Sequence, residues 1–107
     1  MYNLNKYEEA IECYENAIHI NPKDSNAFNN KGHALFNLNK YEEAIVCQDL
    51  AIQINPNYSY AFIKKSNALY NLNKYEEAIE CYDKAIQINP NHSNLFNNKG
   101  QALYNLN

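Results

Sequence analysis

The 107-residue sequence has no tryptophan, two glycines, three prolines and three cysteines, and its nine basic residues are outnumbered by twelve acidic ones. Two scattered glycines cannot form a glycine-rich phosphate loop. A net charge of -3, with the lysines spread thinly, leaves no electrostatic footprint for nucleic acid or an anionic membrane. No apolar run approaches the roughly 20 residues that cross a bilayer, and the N-terminus lacks a basic stretch followed by an apolar one. The expectation is a cytoplasmic protein, nuclear at most, with neither a nucleic-acid nor a membrane partner. The few cysteines say the same: Cys13, Cys47 and Cys81 occupy one place in three successive units. Stacked helices lie about 8–10 Å apart, too far for a disulfide, so these thiols read as small packing residues in a reducing compartment.

What the sequence has is a period. KYEEAI opens at Lys6, Lys40 and Lys74, INP closes at Pro22, Pro56 and Pro90, and residues 1–5 (MYNLN) return almost unchanged as 103–107 (LYNLN). The unit is 34 residues long, and a fixed period of this size marks stacked supersecondary units that share a core with their neighbours. In the unit from Ser25 to Tyr58, Phe28, Gly32 and Leu35 share one helical face with Ala27, Ala34 and Leu38. Tyr41, Ala44, Ile45, Ala51, Ile52 and Ile54 form a second such face. Each half is therefore a helix of about 14 residues. Ser25, Ser59 and Ser93 are placed to cap first helices, and the prolines end second helices. Asn39 and Asn73 suit a left-handed turn, and Asn39 to Glu42 and Asn73 to Glu76 also read as capping boxes.

These features resemble the tetratricopeptide repeat over the whole chain. Small residues stand at Gly32, Ser66 and Gly100 in first helices, and at Ala10, Ala17, Ala44, Ala51, Ala78 and Ala85 in second helices. Phe28, Phe62 and Phe96 stand where the family often has Trp. The resemblance implies an all-α fold, a right-handed α-solenoid of antiparallel helix pairs forming one domain over 1–107. Its parts are a second helix (1–24), two full repeats (25–58 and 59–92) and a first helix (93–107). Gln48 replaces the aromatic seen at Tyr14 and Tyr82, putting an amide in the core. If unpartnered, it costs about 1–3 kcal/mol and softens the middle unit.

No catalytic set survives a spacing test. Glu8-Glu9, Glu42-Glu43 and Glu76-Glu77 are sequence neighbours that point apart on a helix, which suits them to stabilise a helix N-terminus. His19, His33 and His92 fall at three different places in the unit and share no face. No cofactor, metal ligand set or enzymatic activity is expected. Asn57-Tyr58-Ser59 and Asn91-His92-Ser93 match a glycosylation sequon but read as inter-unit turns with their caps.

The resemblance implies that first helices line a concave trough for an extended peptide or partner helix. Carried onto this sequence, the trough presents Asn29, Asn30, His33 and Phe36, then Tyr60, Ile63, Lys64, Asn67, Tyr70 and Asn71, then Asn97, Asn98, Gln101 and Tyr104. Flanking them are Asn26, Asn37, Asn94 and Asn105. Amide side chains offer both a donor and an acceptor, which suits them to hold a peptide backbone without reading its sequence. Such a ladder resembles the interior of the O-linked N-acetylglucosamine transferase superhelix; Asn30 and Asn98 fit it and Lys64 breaks it. Tyr60 and Ile63 replace asparagines of the other units and are the expected hot spot, with Tyr70 further along. Chaperone-tail clamps of the family set Lys, Arg and Asn where this sequence has Asn29, His33, Lys64, Asn94 and Asn98. One lysine predicts no binding of chaperone tails.

Outside the trough, Val46 and Leu50 replace polar pairs and would make a small apolar spot on the outer surface. The array opens with a second helix (7–20) and closes with a first helix (93–106), so weak head-to-tail self-association is expected, or else a place beside further repeats or a catalytic domain.

Overall fold

The apolar pattern of two short helices per unit is what the chain adopts. A computed structural model describes residues 4–106 as six helices: α1 Leu4–Ile20, α2 Ser25–Asn37, α3 Tyr41–Ile54, α4 Ser59–Asn71, α5 Tyr75–Ile88 and α6 Ser93–Leu106. No strand occurs among the described residues. Each helix packs mainly on its neighbours in sequence, and α2 also touches α4, the pattern of an α-solenoid. The stack measures 42 × 29 × 20 Å.

The turns follow from the asparagines. Asn39 and Asn73 adopt φ 63° and 62°, the left-handed conformation that Asn tolerates better than most residues. Lys40 N–H donates to Leu35 O at 2.9 Å and Asn39 N–H to Phe36 O at 2.9 Å. Lys74 and Asn73 repeat the pair on Leu69 and Tyr70 at 2.9 and 3.0 Å. These are the two bonds of a Schellman motif, closing α2 and α4 with Asn in place of Gly. Tyr41 and Tyr75 hydroxyls then donate to the Oδ1 of Asn39 and Asn73, at 2.9 and 2.8 Å. The capping-box reading fails as a result: Lys40 and Lys74 are the N-caps of α3 and α5, without side-chain cap bonds. Asn39 and Asn73 have already spent their side-chain oxygens on the tyrosines.

The serines are likewise one place late. Ser25 and Ser59 are the first helical residues, and the caps are Asp24, which accepts from Ala27 N–H at 3.1 Å, and Tyr58, which cannot. Glu42-Glu43 and Glu76-Glu77 do occupy first turns. Glu8-Glu9 do not, because α1 begins at Leu4 rather than Tyr7.

Alanines let the helices close up. Ala44, Ala51, Ala61, Ala68, Ala78, Ala85 and Ala102 are all but inaccessible, and Leu35, Leu69 and Leu95 fill the layers between them. Phe28 and Phe62 are half-buried, whereas Phe96 is 52% exposed and Leu103 45%. The difference has one cause: among the described residues no second helix follows α6, so the face that α2 and α4 bury is open.

The predicted buried amide is present. Gln48 is 1% exposed; its Nε2 donates to Asn29 O at 3.0 Å, while its Oε1 and Asn29 Oδ1 are buried without partners. Gly32 makes the room, since a Cβ there would lie 2.5 Å from Gln48 Nε2 and 3.2 Å from Ala44 O. In the next unit Ser66 tolerates its neighbour by donating back to Phe62 O at 2.7 Å.

One periodic feature escaped the sequence reading. Lys31–Glu15, Lys65–Asp49 and Lys99–Asp83 form ion pairs of 3.2, 2.8 and 2.6 Å, each joining a second helix to the first helix of the following unit. All three recur at the repeat period, which was the available signal.

Candidate functional site

The groove residues come from first helices because consecutive first helices lie side by side, with second helices behind them. Between the third and fourth units this wall folds into an open cavity of about 180 Å³, lined by Phe36, Asn67, Tyr70, Asn71, Tyr82, Asn98 and Gln101. Six of the seven are trough residues read from the sequence, drawn from α2, α4 and α6. The seventh, Tyr82, reaches through from α5, so a residue whose place in the unit marks it as core also lines the site.

The aromatic floor is held rigidly. The Tyr70 ring meets Tyr75 edge-on at 5.3 Å, as Phe36 meets Tyr41 in the unit before. The Tyr70 hydroxyl accepts from Asn105 Nδ2, joining α4 to α6. Tyr82 is 2% exposed and donates to Asn67 Oδ1 at 2.7 Å, which occupies the Asn67 carbonyl and leaves its amide N–H groups as donors. Burial pushes the Tyr82 phenol up to about 12, so it remains a donor throughout the physiological range. Asn71 Nδ2 donates to Asn67 O at 2.8 Å, leaving its own carbonyl free to accept. The cavity thus offers amide donors and acceptors around an aromatic floor, and no charged side chain lines it.

The remaining trough residues lie elsewhere. Asn30 and His33 line a second cavity of about 190 Å³ with Asn37, against Tyr7 and Tyr14 of α1. Tyr60 is 54% exposed at the start of α4, its ring edge-on to His92 at 6.3 Å. Ile63 is half-buried against the core, and Asn97 and Tyr104 lie open on α6. Asn29 departs from the reading: it is buried beside Gln48 and does not present its amide to the trough. Tyr60 and Tyr70 are ten residues apart on one helix, hence about 15 Å. That is the reach of some five extended residues.

Electrostatically the trough carries one cation. Lys64 is half-buried, and burial holds its ammonium below the usual lysine range. His33 is also held down, first by burial and then by the charge of Lys64, so it is neutral at pH 7. No group of three or more His, Cys, Asp or Glu residues suited to a metal occurs among the described residues. Cys13, Cys47 and Cys81 are free thiols, the first exposed, the second buried and the third half-buried. On the outer side Val46 is 58% and Leu50 38% exposed.

Two family models, described as TPR repeat and tetratricopeptide repeat, match residues 1–39 with 66–107 and residues 25–58 respectively. The chain belongs to the tetratricopeptide repeat family. No curated protein matches it in sequence. Solved TPR structures match it throughout. The first TPR of Spaghetti (RPAP3), bound to the HSP90 peptide SRMEEVD, is 29% identical with a TM-score of 0.93, over 95% of this chain and 81% of that one. The second TPR domain of human RPAP3, in complex with the HSP70 peptide SGPTIEEVD, is 28% identical with a TM-score of 0.86, over 92% and 82%. The TPR2B domain of yeast Sti1, in complex with pHsp70, is 25% identical with a TM-score of 0.87, over 94% and 85%. The TPR array therefore has the same stacked helix pairs as domains caught holding short peptides.

Proposed function

We propose that this TPR array is a protein-interaction module that receives an extended peptide along its concave face, without a catalytic step of its own. The observation that carries this is the cavity of about 180 Å³ in which three first helices converge. Tyr70 and Phe36 provide an apolar seat for one peptide side chain, while Asn67, Asn71, Asn98 and Gln101 hold the backbone on either side. The distance to Tyr60 allows a second anchor on the same strand of peptide. The likeness to peptide-holding TPR domains supports the reading. A reducing, cytoplasmic or nuclear setting suits the free thiols.

The peptide we propose is not an acidic chaperone tail. Of the five places expected to clamp such a tail, only Lys64 is a cation at neutral pH; Asn29 is buried, His33 is neutral, and Asn94 and Asn98 carry no charge. An amide-lined seat selects for an uncharged segment with an apolar side chain, since a carboxylate placed there would lose its hydration for a single partner.

Selection of a display library of uncharged heptapeptides on the wild-type chain tests this. Enriched peptides should share an apolar residue, weaken about tenfold or more with Tyr70→Ala and with Tyr60→Ala, and outbind SRMEEVD in calorimetry. Enrichment of nothing, or SRMEEVD binding at micromolar affinity through Lys64, would contradict it.

A further inference from the structure

Charge is divided between the two kinds of helix. The second helices α1, α3 and α5 carry eleven of the twelve acidic side chains and two of the nine lysines, whereas α2, α4 and α6 carry four lysines and no acid. Within the acidic side a cavity of about 510 Å³ opens between α1 and α3, over α2. Its floor is Ile11, Leu35, Leu38, Val46 and Cys47, and burial pushes the Cys47 thiol up, so the floor is uncharged at neutral pH. Glu8, Glu43 and Lys40 are exposed around it without an ion pair among the described residues, and Lys31 holds Glu15 at 3.2 Å. The apolar strip continues outward: Val46 is 58% exposed, and Leu50, one helical turn on, is 38% exposed. At the next joint, between α3 and α5, these two places hold Glu80 and Lys84. The joint is internal to the array. Glu8, Ile11 and Glu15 correspond to Glu42, Ile45 and Asp49, the face that α3 turns to the following unit, where Ile45 packs on the cluster around Leu69 and Asp49 pairs with Lys65. A unit added at either end would stack on other faces.

We infer that this groove is a second docking site, one that receives a basic amphipathic helix of a partner protein. Two apolar side chains one turn apart on such a helix fill the cavity and cover Val46 and Leu50, the recurrent way a helix lies in a groove. Its lysines and arginines then meet α1 and α3, which carry seven acidic side chains and one lysine. Charge of opposite sign selects the partner and speeds its approach, and an acidic helix with the same apolar face would be repelled. Replacing the Glu of the neighbouring units by Val46 is what makes the place open to an apolar group, since burying a carboxylate there would cost its hydration. The trough peptide is uncharged and meets different residues, so the two sites stand or fail separately.

The probe is the peptide LKKLLKLLKKLLKL, a helix with one leucine face, and its control carries glutamate for every lysine. In calorimetry the lysine peptide should bind at micromolar concentration and weaken as salt is raised, and the glutamate peptide should not bind. Val46→Asn with Leu50→Asn removes the apolar strip at unchanged charge and should weaken binding about tenfold or more. Glu8→Gln with Glu43→Gln should weaken it as well and flatten its salt dependence. All four side chains are exposed, so both variants should fold, which circular dichroism checks. Methyl NMR shifts should fall on Ile11, Leu35, Leu38, Val46 and Leu50. Absence of binding, binding that survives Val46→Asn with Leu50→Asn, equal binding of the glutamate peptide, or shifts centred on Ile63 in the trough would each overturn the inference. So would a wild-type chain that dimerises alone and becomes monomeric with Val46→Asn and Leu50→Asn, which would give the groove to a second copy.

Discussion

Gln48 and Gly32 act as one unit. The amide fits because the glycine has no side chain, yet two buried carbonyl oxygens, Gln48 Oε1 and Asn29 Oδ1, remain without donors. Gln48→Tyr should restore the arrangement of the following unit and raise stability by about 1–3 kcal/mol, read by urea denaturation. The same scale separates the two glycines. Gly100→Ala meets open space and should stabilise by up to about 1 kcal/mol through helix propensity. Gly32→Ala should destabilise, because displacing the Gln48 amide from Asn29 O strands a buried donor, a loss of about 1–3 kcal/mol that exceeds the propensity gain. His33 adds a pH dependence. Its folded pKa lies below 6.5, so as pH falls the unfolded chain takes up this proton first. The contribution is present above pH 6.5 and is lost as pH drops from there through the lowered folded value. Thermal midpoints should therefore fall more steeply between pH 7 and 5 for wild type than for His33→Gln. None of these pairings is visible residue by residue in the sequence: Gln48 could be recognised as an amide in the core, but not that it would bury Asn29 with it.

At the scale of elements, helix positions were legible because apolar spacing and period agree, and because Pro22, Pro56 and Pro90 each follow a helix end by two residues. Cap chemistry was less so. A serine at the first helical position and one at the cap differ by a single residue, and only Asp24 proved to have the geometry. Asn39 and Asn73 were rightly read as left-handed, and their tyrosine partners explain the missing capping boxes. Asn73→Ala should cost about 1–2 kcal/mol, for the left-handed backbone and the lost Tyr75 bond together. The Lys–Glu and Lys–Asp pairs between units are half-exposed, so Lys65→Met should cost under about 1 kcal/mol and less still at high salt. Their value lies in register: each fixes how one unit sits on the next.

At the scale of the whole molecule, repetition explains both what could be foreseen and what could not. A repeat announces the solenoid and its concave wall, since every unit votes for the same placement. It says little about where that wall deepens, because depth comes from departures: Tyr70 where the unit before has Phe36, and Tyr82 where it has Gln48. Tyr60 and Ile63 stood out in sequence for the same reason, but the wall deepens a helix length away from Tyr60, around Tyr70. The exposure of Phe96 and Leu103 agrees with the out-of-phase ends read from the period, since among the described residues no second helix covers α6. The proposed binding surface for the uncharged peptide is the trough between α2, α4 and α6. Side-chain amide, aromatic and methyl NMR shifts, recorded while a library-selected uncharged heptapeptide is added, separate this trough from the outer surface. The largest changes should fall on Asn67, Tyr70, Asn71, Asn98 and Gln101, with Val46 and Leu50 still; changes centred on Val46, Leu50 and Ile11 instead would place binding on the outer surface and contradict the account.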